Sequence, residues 1–545
     1  MKILQRSAAL FALAAPASAQ LGDPGWRMTH LDMDVTVIPG AGELVLEGVL
    51  RVRLDGEPSR GPTLGLNSGS PNLRFAHVGP PDGASAEPNA GAPGRPGLRL
   101  AHVRFDAPQP TGTEVEIAFA CESEGGGQSN QLQVAGTIAF ASWVEGWYPV
   151  VADPRRTLSQ MGSASGATRF HLPAGWDVVS NGKKGARVES DGGVSVAWSV
   201  EVPVARSFAA GPYRAERVAV GERSIGVYLL SEKQQDVRRQ AETLARALAA
   251  QEQRFGPYPY ASYAIAEVPE DKGSFYASSE QGFVMAKSSA FEQEHGNLPL
   301  WAHEMAHGWW GNLVGNTGPG AILCGESLAQ YGAVLAIEAL EGEDAATEFL
   351  RFSRSGYSPA QCARGYFTQN CGTERDRPLS QLGGGGWQHD LADAKGHWVY
   401  HMLRGRIGDE LFFEGLRALI ANHAAGPITL QGLREHFVAL APDAELERFF
   451  EQWLDRVGAP VLEVEWEAAG EGGVEVAIMQ VQEGPPYLLE LEVAVRGGGE
   501  EQVSKVTLGE ATTRATLPAP AAPSDVVLDP RHRLLIWEPE YGERR

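Results

Sequence analysis

The hydrophobic period changes twice along this chain of 545 residues, and that limits the folds open to it. From residue 20 to about 210 the apolar residues alternate, as in Leu31, Met33, Val35 and Val37 and again across Leu44–Leu54. Thr113–Phe119 and Val194–Val200 do the same, with Gly, Pro and Asn clusters between the runs. Alternation buries one face of a strand, and such clusters read as turns. Gly79–Gly97, rich in Pro, Gly and Ala, reads as a long surface loop, because strand patterning resumes at Leu98. From about 213 to 457 the period becomes helical, with helices expected at Glu232–Arg254, Leu298–Leu313, Glu326–Ala339, Leu391–Arg404, Asp409–Ala421, Leu430–Leu440 and Ala444–Val457. Strand patterning returns at Val461–Glu467, Val474–Ile478, Leu488–Val495 and Val503–Leu508. The expected fold is multidomain α+β, with a β-domain over 20–212, a mainly helical domain over 213–457 and a β-sandwich-like domain over 458–545.

Residues 1–19 read as something separate. Lys2 and Arg6 precede an apolar stretch, Ala8–Ala15, and then Ala17-Ser18-Ala19. A basic start, a short apolar region and a small-residue cleavage site make a secretory signal peptide. The chain is therefore expected to be exported, to the periplasm or beyond the cell. Loss of Lys2 and Arg6 with the leader takes the net charge from −22 to −24. So acidic a chain would repel a phosphate backbone, which argues against nucleic acid as a partner. No later stretch holds 18 uninterrupted apolar residues, so no membrane span is expected. Oxidising conditions allow disulfides, and of Cys121, Cys324, Cys362 and Cys371 the pair Cys362 and Cys371, close together in a loop-like stretch, is the expected bridge. Oligomeric state is not legible.

The chemistry concentrates in His303-Glu304-Met305-Ala306-His307. Residues four apart share a helix face, so both imidazoles can reach one ion while Glu304 lies beside it. Glu326 follows after eighteen intervening residues and opens the next expected helix. A helix, a connection and an antiparallel return bring it opposite the histidines. Two His and one Glu leave a fourth position open, which is the ligand set of one catalytic Zn2+ and not of a structural one. Glu304 is then the general base that takes a proton from the attacking water. Cys324, two residues before Glu326, reads as a small buried residue because the ligand set is already complete.

The stretch LWAHEMAHGWWGNLVG, followed by ESLAQY, resembles the aminopeptidase N and leukotriene hydrolase family of gluzincin metallopeptidases. Further likenesses are Phe255–Tyr260 (FGPYPY), Trp176–Asn181, Ala209–Tyr213, Lys395-Gly396, His401–Arg404, Gly408–Glu410, Trp453 and Gly458-Ala459-Pro460. The resemblance implies a thermolysin-like catalytic domain between two β-domains, peptide substrates and zinc as cofactor. It also implies that the glutamate of the family's G-x-M-E-N loop binds the substrate's α-amine. Here the matching stretch is Ala277–Gly282, which lacks the Gly and Met, and Glu280 stands 23 residues before His303. An ionised carboxylate there would pair with an ammonium.

At the position of the family's transition-state tyrosine, two residues before the Lys of Y-x-K-G, this chain carries Asp393. An ionised Asp accepts hydrogen bonds and donates none. The donor it replaces is usually worth about 100- to 1,000-fold in rate. His389, His397, Tyr400 and Tyr366 are the residues that could substitute, and the sequence does not choose among them. The leading expectation is an exported zinc aminopeptidase. A zinc endopeptidase with the same chemistry stays open, as does a weak or inactive peptide-binding protein on the same fold.

Overall fold

The strand-patterned residues do build sheets, and the sheets divide between two compact units. The structure, a computed structural model, describes residues 25–67, 72–92, 95–123, 131–153, 161–230, 236–292, 297–424, 426–469 and 472–542. The leader expected over 1–19 lies outside the described residues. Among the described residues, one unit takes the chain from Gly25 to Ala249 together with Tyr258–Gly308, and the other takes Ala250–Pro257 with the chain from Trp309 onward.

In the first unit, seven strands form a sheet in the order Lys183–Ser190, Gly193–Val204, Ala164–Leu172, Trp26–Ile38, Glu43–Leu54, Glu114–Ser123 and Leu73–Gly79. Its inward residues, among them Leu31, Val35, Leu46, Leu50, Ile117, Phe170 and Trp198, are wholly buried. They belong to one apolar core. Trp26–Ile38 and Ala164–Leu172 pair in parallel, while the strands around them pair antiparallel. The parallel pair begins at His30 and Ser165, and its next step sets Gly166 against Leu31, beside a break in the antiparallel ladder to Gly193–Val204 between Ala164 and Gly166. Gly166 has φ 118°, and a Cβ there would run into the Leu31 carbonyl.

Gly79–Gly97 is not the loop its composition suggests. Ala84–Ala92 and Arg95–Phe105 are strands paired antiparallel. Pro and Gly are tolerated because Ala84–Ala92 is an edge strand, and the register shifts between Glu87 and Ala90, around Pro88 and Asn89. Asn89, at φ 62°, accepts from the Phe75 N–H at 2.9 Å and donates to the Phe75 carbonyl at 2.7 Å. Its amide thus pairs like a missing piece of strand.

A five-stranded sheet also lies in this unit, in a stretch expected to be mixed and helical. Its order is Arg214–Val220, Arg223–Leu229, Ser262–Val268, Phe283–Lys287 and Ala277–Glu280. Ser262–Val268 is buried along its whole length, which hides the alternation that marks a half-exposed strand.

In the second unit, helices Glu326–Glu341, Glu343–Phe352, His397–Ile407, Asp409–His423, Leu430–Leu440 and Leu446–Leu454 precede two three-stranded antiparallel sheets spanning Leu462 to Leu528. Among the described residues no helix is long and apolar enough to cross a membrane. The bridge expected between Cys362 and Cys371 is not made, and all four cysteines are free thiols. Cys362 Sγ instead accepts from the Gly365 N–H at 3.4 Å and caps a short turn.

Gly166→Ala should cost about 2 kcal/mol or more, since it adds both a positive-φ penalty and a backbone clash. Urea unfolding followed by tryptophan fluorescence measures this, and an unchanged midpoint would show that the strand junction can relax.

Candidate functional site

The motif helix spans Leu298–Ala306 and has no exposed face. Asn297 starts it by accepting from the Leu300 N–H, and Pro299 stands in its first turn, where no amide is needed. It is shorter than the expected Leu298–Leu313. Gly308 has the Tyr258 ring where a Cβ would be, and its N–H turns back to the Met305 carbonyl at 2.9 Å. Gly311, at φ 99°, then takes a conformation that a continuing helix does not use. His307 is the helix's last, capping residue, still in helical geometry.

That cap residue matters because it keeps the four-residue spacing on one face. The Nε2 atoms of His303 and His307 stand 3.2 Å apart, with their rings at 84°. Two imidazole nitrogens turned on one point are a donor pair suited to a metal ion. Glu304 lies between them in sequence and is buried. The sheet fixes the helix beneath them: Ser279 Oγ donates to the Glu304 carbonyl at 3.0 Å, and the Tyr263 hydroxyl donates to the Trp301 carbonyl at 3.1 Å.

Glu280 follows Ser279 at the end of the edge strand and is wholly buried. Its carboxylate accepts from Ser142 Oγ at 3.0 Å, Ser207 Oγ at 2.6 Å and Ser278 Oγ at 2.8 Å. Three of roughly four acceptor positions of a carboxylate are thereby used. The group expected to meet a substrate amine faces serine hydroxyls instead. Nothing local marked Ser142 or Ser207, which lie 138 and 73 residues away in sequence. Burial pushes the Glu280 carboxyl up to about 7, while the hydroxyls and the Trp143 amide pull it down.

In the other unit Glu326 opens the helix Glu326–Glu341, where a carboxylate suits the helix N-terminus. His389 Nε2 stands 3.0 Å from Glu326 Oε2, and His389 Nδ1 stands 3.4 Å from Asp393 Oδ2. Asp393 is wholly buried, and Gln361 Nε2 donates to the same Oδ2 at 2.7 Å. Asp393 first, with Glu326 adding, pushes His389 up to about 10 against the effect of burial. Asp393 lies on a π-turn, Ala392–Gly396, inside the helix expected at Leu391–Arg404. Such a turn adds one residue per repeat and is common at functional sites.

The other candidates for the missing tyrosine are engaged elsewhere. The Tyr400 hydroxyl donates to the Leu323 carbonyl at 3.0 Å, the Tyr366 hydroxyl to Asp376 at 3.1 Å, and His397 Nδ1 bonds the Asp393 carbonyl. The structure thus brings His303 to His307 in one unit, and Glu326 to His389 and Asp393 in the other. Cys324 is buried, which pushes its thiol up to about 12.

Residues 240–453, which hold all of these except Ser142, Trp143 and Ser207, match the family model described as the Peptidase family M1 domain. This part of the chain is thus similar to M1 peptidase domains. The chain is 27% identical over 184 residues to an aminopeptidase N from Lactococcus lactis subsp. lactis, a match covering 33% of this chain and 21% of that relative. Among solved structures it is similar to an M1 zinc metallopeptidase from Deinococcus radiodurans, with TM-score 0.60 and 18% identity over 81% of this chain and 96% of that one. It is likewise similar to a mutant of that metallopeptidase bound to the substrate Tyr-Ser-Ala, with TM-score 0.59 and 17% identity over 80% and 95% of the two chains. These likenesses fit the architecture of β-rich, helical and β-sheet regions around the M1 domain.

The Glu280 carboxyl has a higher pKa folded than unfolded, so between about 4.5 and 7 the folded chain binds more protons. Stability from this group is full below the unfolded value and is lost as pH rises through about 7. Between pH 4.5 and 8, wild-type unfolding free energy should fall about 3 kcal/mol more than that of Glu280→Gln. Parallel curves in chemical denaturation would show that Glu280 does not titrate in this range.

Proposed function

We propose that this chain is a zinc-dependent metallopeptidase that hydrolyses peptide bonds, acting as an aminopeptidase on peptide N-termini. The observation that carries the reading is the facing pair of His303 and His307 on a buried helix of an M1 domain. With Glu326, placed after them by sequence spacing, they would hold one zinc ion. When bound, zinc polarises the scissile carbonyl and lowers the pKa of a water. Glu304 accepts the proton of the attacking water and returns it to the leaving amine. The main chain of Glu304 is held by Ser279, so the base cannot swing away with its helix.

Peptides as the substrate class are supported by the Tyr-Ser-Ala bound to the Deinococcus enzyme variant and by the aminopeptidase N relative. Export to the periplasm or beyond rests on the pattern of residues 1–19 alone. A second reading, an endopeptidase with the same chemistry, is favoured by one observation. Glu280, the residue expected to hold the α-amine, is buried and bonded to three serines.

Glu304→Gln should keep its zinc and lose at least about 100-fold in peptide hydrolysis. A zinc-loaded variant that still cleaves a peptide library at the wild-type rate would overturn the mechanism. The same library, read by mass spectrometry with free and N-acetylated termini, separates the readings. Cleavage confined to free termini supports the aminopeptidase, and equal cleavage of acetylated peptides supports the endopeptidase.

A further inference from the structure

Asp393 occupies the place of a hydrogen-bond donor with a group that only accepts, yet it is not idle. Its buried Oδ2 is met by Gln361 at 2.7 Å and by the His389 imidazole at 3.4 Å. The Gln361 bond holds the carboxylate against which the ring of His389 lies. The opposite ring nitrogen then reaches Glu326 Oε2 at 3.0 Å. A carboxylate that binds a metal through one oxygen gains orientation when the other oxygen accepts a hydrogen bond. With a proton on Nε2, His389 is placed to be such a donor, 3.0 Å from that carboxylate.

We infer that His389 is a positioning residue for Glu326, anchored by Asp393 and Gln361, so that an Asp–His–Glu relay orients the carboxylate for metal binding. This rests on the proposal that Glu326 ligates zinc. It gives Asp393 a role of its own, because a carboxylate accepts a hydrogen bond from the Nδ1 edge of His389 more strongly than a neutral phenol oxygen would. It also distinguishes His389 from Tyr400 and Tyr366, whose hydroxyls bond other groups.

The test reads zinc affinity, not turnover, by competition with a chromophoric chelator on the full chain. His389→Ala should weaken zinc binding about 10- to 100-fold. His389→Gln, whose amide can donate in place of Nε2–H, should stay within about 3-fold of wild type. Asp393→Ala should weaken binding through His389, so adding it to His389→Ala should bring no further loss. That non-additivity is a readout a merely structural role would not give. Wild-type affinity in His389→Ala, a Gln variant as weak as the Ala variant, or losses that add in the double variant would each overturn the inference. If His389→Ala does not fold, as judged by circular dichroism, His389→Phe keeps a flat ring without the donor and takes its place. A wild-type chain that takes up no zinc overturns the metallopeptidase reading and this inference with it. Zinc uptake that ignores His389 overturns the inference alone.

Discussion

A nine-residue helix buried on every side leaves carbonyls at its C-terminal end that groups outside the helix must satisfy. Here the neighbouring sheet supplies the partners. Ser279, on the edge strand, donates to the carbonyl of Glu304 itself, and Tyr263, on the buried central strand, donates to that of Trp301. Each such bond is worth about 1 kcal/mol net, but an unmet buried carbonyl would cost more than that. The helix is therefore fixed in rotation as well as in place, and the face bearing His303 and His307 is fixed with it. The turn that ends the helix depends on Gly308, where the ring of Tyr258 leaves no room for a side chain. The Gly after the motif and the Tyr of FGPYPY are thus two sides of one contact.

Two buried carboxylates in this chain are treated in opposite ways. Glu280 is surrounded by neutral hydroxyls, which stabilise its charge only partly, and its pKa rises. Asp393 is given an amide and an imidazole, and the imidazole's own pKa rises in answer. Hydroxyls can reorient to serve either the acid or the carboxylate, so Glu280 can exchange a proton without rearranging its neighbours. A carboxylate beside an imidazole favours the charged form of the ring. The first arrangement joins the edge strand to Ser142 and Ser207. The second joins a π-turn to the start of the Glu326 helix.

The period changes carried the order of sheets and helices, and the spacing of His303, His307 and Glu326 carried the candidate chemistry. What escaped the sequence had physical causes. Ser262–Val268 is buried on both faces, so it shows no alternation and its sheet was hidden within a zone that read as helical. Ala84–Ala92 uses residues poor in strand propensity because an edge strand with a shifted register tolerates them. Ser142 and Ser207 meet Glu280 across long stretches of chain, and single-sequence patterns carry no such distance. His389 was visible only as one of four candidates, since its selection depends on how Gln361 and Asp393 meet it.

The family-like residues around Glu326 gain a mechanical explanation from the same contacts. Gly396 of the Lys-Gly pair lies where any Cβ would strike Ser327 Oγ, and Ser327 in turn donates to the Ala392 carbonyl at 2.6 Å. The π-turn and the first residues of the Glu326 helix are therefore in backbone-close contact, with no side chain to cushion them. Lys395 reaches away, donating to the carbonyls of Arg456 at 3.1 Å and Gly458 at 2.9 Å. Tyr400 ties the following helix to Leu323, just ahead of Glu326. A shift of the π-turn would accordingly move Asp393, His389 and Glu326 together and not one against another. Replacing a tyrosine by aspartate at position 393 in such a frame leaves the backbone frame in place while changing what the turn offers: a fixed acceptor, which His389 converts into a donor aimed at Glu326.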